Sequence, residues 1–122
     1  MHVPVVLDHP DPTSFSAAVA RHVIDGAGAA GHSVEPADPQ AEGFDPRWSR
    51  ADIAADRGAA ASADVRKGQA RIARADAICL AFPLFWWGMP AMIKGRSRRA
   101  WYCWSMKSWA MPPIWSPCRW VR

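Results

Sequence analysis

Apolar residues recur along this chain in two rhythms. His2–Leu7 is a short, continuous, Val-rich run that reads as a buried strand, and it is cut off by Asp8-His9-Pro10-Asp11-Pro12, residues that favour turns and bar a helix. Thr13-Ser14-Phe15-Ser16 then offers hydroxyls suited to a helix N-cap, followed by Phe15, Ala18, Val19, Val23, Ala27 and Ala30 at helical spacing, with Gly31 as the stop. His32–Ala37 supplies a second, shorter strand, which Pro36 places at a sheet edge or near a strand end. The stretch 38–48 lacks periodicity and reads as a connection.

Helical spacing returns in a short helix over Ser49–Arg57 and a longer one over Ala63–Ala75. In the longer helix, Val65, Ala70, Ile72 and Ala73 form the expected apolar side against Arg66, Lys67, Arg71 and Arg74, with Asp64 near its start. Ala77–Phe82 is uninterrupted apolar sequence, as a central parallel strand covered on both faces should be, and Pro83 ends it. The order strand, helix, strand, helices, strand predicts an α/β doubly wound parallel sheet of about three strands with right-handed crossovers.

A length of 122 residues fits one compact domain. The net charge of +4 would by itself point towards nucleic acid or an anionic membrane, but it is unevenly spread. All 11 acidic residues lie in 1–95, whereas 96–122 holds Arg96, Arg98, Arg99, Lys107, Arg119 and Arg122 without an acidic residue. Trp101, Trp104, Trp109, Trp115 and Trp120 crowd the same segment. Cys79, Cys103 and Cys118 form no CxxC pair and no His/Cys metal spacing, so neither a disulfide framework nor a zinc site is expected. His2, His22 and His32 carry no ligand spacing. Without a leader pattern or a run of ~20 apolar residues, the expectation is a cytoplasmic protein with no membrane span.

In open parallel sheets ligands bind beyond the carboxyl ends of the strands, which directs attention to the loops after the first and third strands. The loop from His9 to Ser16 brings backbone N–H groups and hydroxyls to a helix N-terminus, a setting for phosphate; the competing reading is that Thr13, Ser14 or Ser16 merely caps the helix. Pro83-Leu84-Phe85-Trp86-Trp87-Gly88-Met89-Pro90 can line a planar heteroaromatic ring, or equally fill a core or an interface. Spacing alone leaves both pairs of alternatives open.

His9-Pro10-Asp11-Pro12-Thr13-Ser14-Phe15-Ser16 resembles the first flavin-binding loop of the NAD(P)H:quinone oxidoreductases of the DT-diaphorase type, which include bacterial drug-modulator and potassium-efflux ancillary relatives. Phe82–Gly95 is similar to that family's FPxxWxGxPAxLKG segment, and follows a similar strand entry at Ala75-Asp76-Ala77. The resemblance implies a flavodoxin-like fold and a flavin, usually FAD and in some relatives FMN. It implies contacts from His9, Thr13, Ser14, Phe15 and Ser16 to the flavin's phosphate or ribityl part, and from Pro83, Leu84, Phe85, Trp86 and Trp87 to the isoalloxazine ring. It further implies NAD(P)H as hydride donor, a quinone or similar acceptor, and a homodimer.

The resemblance covers 1–95 and stops there. Relatives continue past the Lys-Gly pair with a Trp-hydrophobic-Asp-Arg-Val helix start, whereas this chain reads Arg96-Ser97-Arg98-Arg99-Ala100 and then an irregular Trp-, Pro-, Ser-, Arg- and Cys-rich tail. The expectation is therefore a partial flavin-binding domain over 1–95 and a non-family basic tail over 96–122, with a frameshift near codon 95 as the hypothesis. On that hypothesis no catalytic residue is assigned, the third strand's outer edge is unpaired, and flavin binding is weak or lost. Two alternatives remain: a non-enzymatic flavodoxin-like module, and a tail acting as a membrane- or nucleic-acid-binding appendage.

Overall fold

The computed structural model describes residues 1–102 and sets three parallel strands side by side, with β1 (His2–Leu7) in the centre, β2 (Ser33–Ala37) on one flank and β3 (Cys79–Ala81) on the other. His2 pairs with Ser33 and Val6 with Ala37 on one side of β1, and Val5 with Cys79 and Leu7 with Ala81 on the other. Pro36, which has no N–H to give, sits on the edge strand as its chemistry requires.

β3 lies at the sheet edge with its outer side unpaired among the described residues, as the break in resemblance after Gly95 leads one to expect. It is nevertheless shorter than the apolar run 77–82 and less covered than a central strand would be: three residues, with Ile78 exposed. Pro4 supplies a reason for its shortness. Asp8 N–H donates to the Ala81 carbonyl at 2.9 Å, so by the two-residue alternation of a strand the nitrogens of Val6 and Pro4 also face β3. Pro4 has no proton there, and the ladder between β1 and β3 begins only at Val5 and Cys79.

Helix α1 (Phe15–Ala29) starts at Ser14, whose Oγ accepts the Ala17 N–H at 3.2 Å, and gives way to Gly31 at φ +80, in the left-handed region glycine favours. Its inward residues are Ala17 and Ala20, flanked by Val23 and Ile24, and they pack against Val3, Val5 and Ala81. Phe15 is 84% exposed and Val19 also faces outward, so the buried stripe is turned from the expected one. Small alanines let the helix axis approach the sheet closely, which a periodicity count cannot weigh against larger apolar residues nearby.

Helix α2 (Arg50–Asp56) is tied through Asp52 to the layer that covers the opposite face, α3 (Ala63–Arg74) and α4 (Ala91–Arg96). Ile93 of α4 is fully buried on Val6 and Ala37. Ser49 and Asp52 form a reciprocal capping box at the start of α2. In α3 the buried positions are Val65, Gly68 and Arg71, while Ala70 and Ala73 face outward. Arg71, expected on the polar side, turns inward because its guanidinium meets Glu35 at 2.8 Å and Glu42 at 2.9 Å; a buried charge is tolerated when it is paired.

α4 does not end at Gly95. It runs through Arg96 into a π-helical turn, Ser97–Tyr102, and its arginines are built into the fold. Arg99 is buried, with Nε 3.0 Å from Asp52 Oδ1 and Nη1 2.8 Å from Asp64 Oδ2. The buried Arg96 lies 3.7 Å from Glu42 and packs on the Phe44 ring, and Arg98 stacks 3.8 Å from the centre of the Trp48 ring. Gly95 is required for this approach, because a Cβ there would overlap the backbone and side chain of Pro46. Residues 103–122, with Cys103, Cys118 and most of the basic, Trp-rich tail, lie outside the described residues. Among the described residues no helix is long and apolar enough to cross a membrane.

Candidate functional site

Leu7 and Ala81 are register partners, and the Asp8-to-Ala81 hydrogen bond is the next rung, so β1 and β3 release their chains side by side at the same edge of the sheet. His9, Thr13, Ser14, Phe15 and Ser16 leave from β1; Pro83, Leu84, Phe85, Trp86 and Trp87 leave from β3. The roots of the two sequence-derived groups thus lie side by side at the strand ends. Beyond that rung the first loop is braced within itself and from α1, where Arg21 Nη1 donates to the Pro12 carbonyl at 2.8 Å, and the second closes on itself.

The first loop is organised around Asp11. Its Oδ1 accepts both the N–H and the hydroxyl of Thr13, at 2.8 and 2.7 Å, while its own N–H donates to His9 Nδ1 at 3.0 Å. The Thr13 hydroxyl first, and the Thr13 amide second, hold the Asp11 carboxyl below its ordinary range. The three hydroxyls expected at one point therefore have different tasks. That of Thr13 is given to Asp11, and that of Ser14 caps α1, as the capping reading had it. The N–H groups of Phe15 and Ser16 find no acceptor among the described residues, and they point out of the positive end of a 15-residue helix.

The second loop is a tight hairpin. Phe85 and Gly88 exchange backbone hydrogen bonds at 3.1 and 2.9 Å, with Trp86 and Trp87 at φ +48 and +61 between them. Positive φ at both central positions defines a type I′ turn, which Asn-Gly fills without difficulty and bulky residues fill only under strain. The tryptophans are 98% and 97% exposed, so neither serves as core filling in this chain. Beside them a hollow of about 650 Å³, bounded chiefly by Phe82, Leu84, Trp87, Met89, Lys94 and Arg98, opens to solvent.

Sequence reasoning passed over two residues here. Asp8 is 3% exposed, and its Oδ1 accepts from Gln40 Nε2 at 3.2 Å. The available signal was the two-residue period of β1: with Val6 buried, the side chain two positions on falls on the same face. Gln40 gave no signal, because it reaches Asp8 from the connection after β2, held there by its N–H to Asp38 Oδ1 at 2.9 Å. The edge as a whole presents free amides on one side and an apolar shelf on the other, an arrangement able to hold a planar ring that carries an anionic tail.

Residues 1–95 match the family model described as Flavodoxin-like fold. Among solved structures, the chain superposes on the NAD(P)H:quinone oxidoreductase from Methanothermobacter marburgensis with a TM-score of 0.75 and 34% identity, covering 83% of this chain and 53% of that one. It is 29% identical over 108 residues to NAD(P)H dehydrogenase [quinone] 1 of Rattus norvegicus, covering 75% of this chain and 39% of that protein. It is 26% identical over 108 residues to the ribosyldihydronicotinamide dehydrogenase [quinone] of Pongo abelii, covering 75% of this chain and 47% of that protein. The chain spans less than half the length of these two curated relatives.

Proposed function

The chain belongs to the flavodoxin-like family, and on that premise we propose that its carboxyl edge binds a flavin, FAD or FMN, as the flavin-contacting part of an NAD(P)H:quinone oxidoreductase site. The observation that carries this reading is the adjacency of the two loops, joined at their roots by the bond from Asp8 N–H to the Ala81 carbonyl. A bound flavin would supply reversible two-electron chemistry, taking hydride from NAD(P)H and passing it to a quinone.

The residues present fit such a group. The N–H groups of Phe15 and Ser16 and the Ser16 hydroxyl bind the phosphate, with His9, Thr13 and Ser14 shaping the loop around it. Pro83, Leu84, Phe85, Trp86 and Trp87 line the ring and keep water from one side of it. Asp11 works against the phosphate by charge, and the two loops reach the cofactor from one side only, so the expected affinity is weak. Soluble, cytoplasmic action and assembly with a second copy of the chain belong to the same proposal.

Titration of the purified full chain with FMN and with FAD, followed by tryptophan emission and flavin absorbance, tests the reading. A saturable, one-to-one quench that is lost in Trp86→Ala/Trp87→Ala is expected. No saturation with either flavin would refute it.

A further inference from the structure

Two buried side-chain polar atoms among the described residues lack a hydrogen-bond partner, Arg96 Nε and Asp8 Oδ2. Arg96 has compensation from Glu42 and the Phe44 ring. Asp8 has far less. It is a nearly fully buried carboxyl whose one side-chain bond is a long contact from the neutral amide of Gln40, and Gln40 itself is exposed. An arrangement of this kind weakens a fold, since a carboxylate oxygen removed from water without a donor forfeits its hydration.

The position of the carboxyl gives the cost a meaning. Asp8 is the first residue after the central strand, its N–H is the rung that ties the roots of the two loops together, and Gln40 comes from the carboxyl end of β2. All three strand ends converge on this group. Gln40 is a replaceable donor: it is an exposed residue on a surface turn, and its amide is the one side-chain donor to the carboxyl among the described residues.

We propose that Asp8 is a binding residue for a neutral hydrogen-bond donor of the flavin, a ribityl hydroxyl or the imide N–H of the pyrimidine ring, and that the Gln40 amide holds the place this donor takes. The inference rests on the flavin reading above and adds a contact to it. It also separates Asp8 from a purely structural carboxylate, whose removal would hurt the fold and leave ligand affinity alone.

The test uses the full chain and four proteins: the unaltered sequence, Asp8→Asn, Asp8→Ala and Gln40→Ala. Each is titrated with FMN, riboflavin and lumiflavin, and each is melted without flavin. Loss of a hydrogen bond to a charged group predicts that Asp8→Asn weakens FMN binding about tenfold or more. Gln40→Ala is expected to bind FMN as tightly as the unaltered chain or more tightly, and Asp8→Ala to melt no lower than it. If lumiflavin, which lacks the ribityl hydroxyls, is bound equally by Asp8→Asn and the unaltered chain, the donor is a ribityl hydroxyl; if it too is weakened, the donor is the imide. Unchanged FMN affinity in both Asp8 variants overturns the inference alone. So does a matched fall in melting temperature for the Asp8 and Gln40 variants, which would make the pair structural. Failure of the unaltered chain to bind any of the three overturns the flavin reading and this inference with it.

Discussion

Between α2, α3 and α4, buried charges are met by partners: Arg71 by Glu35 and Glu42, Arg99 by Asp52 and Asp64. At the carboxyl edge the pattern reverses, with two tryptophans in solvent at positive φ and a buried carboxylate oxygen left without a donor. In the first region even Arg96, whose Nε lacks a hydrogen bond, faces Glu42 and the Phe44 ring. The same chain therefore offsets its buried charges there and leaves strain and an uncompensated oxygen at the edge. Native folds often concentrate such departures where a ligand compensates for them, which is a further ground for the proposal that the edge binds the flavin while the ion layer supports it.

Substitutions should then have opposite signs in the two regions. The largest effect is expected for Arg99→Ala, which leaves the buried Asp52 carboxylate unpaired and should cost about 3 kcal/mol or more in urea unfolding. A loss below ~1 kcal/mol would reduce the ion layer to ordinary surface pairing. Gly95→Ala forces Pro46 away from α4 and should cost about 1–3 kcal/mol by the same measurement. An unaffected midpoint would show that the approach is not tight.

At the edge the sign turns. Trp86→Asn/Trp87→Gly puts turn-forming residues into the type I′ positions and should stabilise the chain by about 1 kcal/mol while weakening FMN binding. A loss of stability would mean the indoles contribute packing that outweighs the strain. The smallest effect is a pH dependence. Glu35 is held at about 2, chiefly by its hydrogen bond from Arg71 and further by His2 and Arg74, with burial opposing them. A carboxyl lowered on folding stabilises fully above its unfolded value, and that contribution is lost as pH falls towards the folded one. The urea midpoint should therefore drop between the ordinary carboxylate range and about pH 2, and drop less in Glu35→Gln. Identical acid profiles for the two proteins would remove Glu35 from the account.

What could be read in advance was local. The Val-rich run gave β1, the hydroxyl cluster gave the cap at Ser14, and Pro36 marked an edge strand, each depending on neighbours in sequence. What could not be read depended on distant partners. The inward turn of Arg71 needs Glu35 and Glu42, and the burial of Arg96 and Arg99 needs carboxylates about fifty residues upstream, including Asp52. β3 came out shorter than its apolar run because such a run reports the burial of a strand flanked on both sides, and here it has one neighbour among the described residues. At the site, both loops were legible from their turn and aromatic residues, whereas Asp8 was hidden in a motif whose interest lay in the residues after it.

Pro4 gives the sheet an uneven seam. The Asp76 N–H still donates to the His2 carbonyl at 2.9 Å. Between that bond and Cys79, however, Pro4 offers no donor, so a pulling force or a solvent fluctuation should loosen the outer strand first over 77–78, between two fastenings. Amide deuteration would follow that gradient, fast at Ala77 and Ile78 and slow at Ala81. The seam can thus breathe at its waist while the end that roots the tryptophan hairpin stays moored.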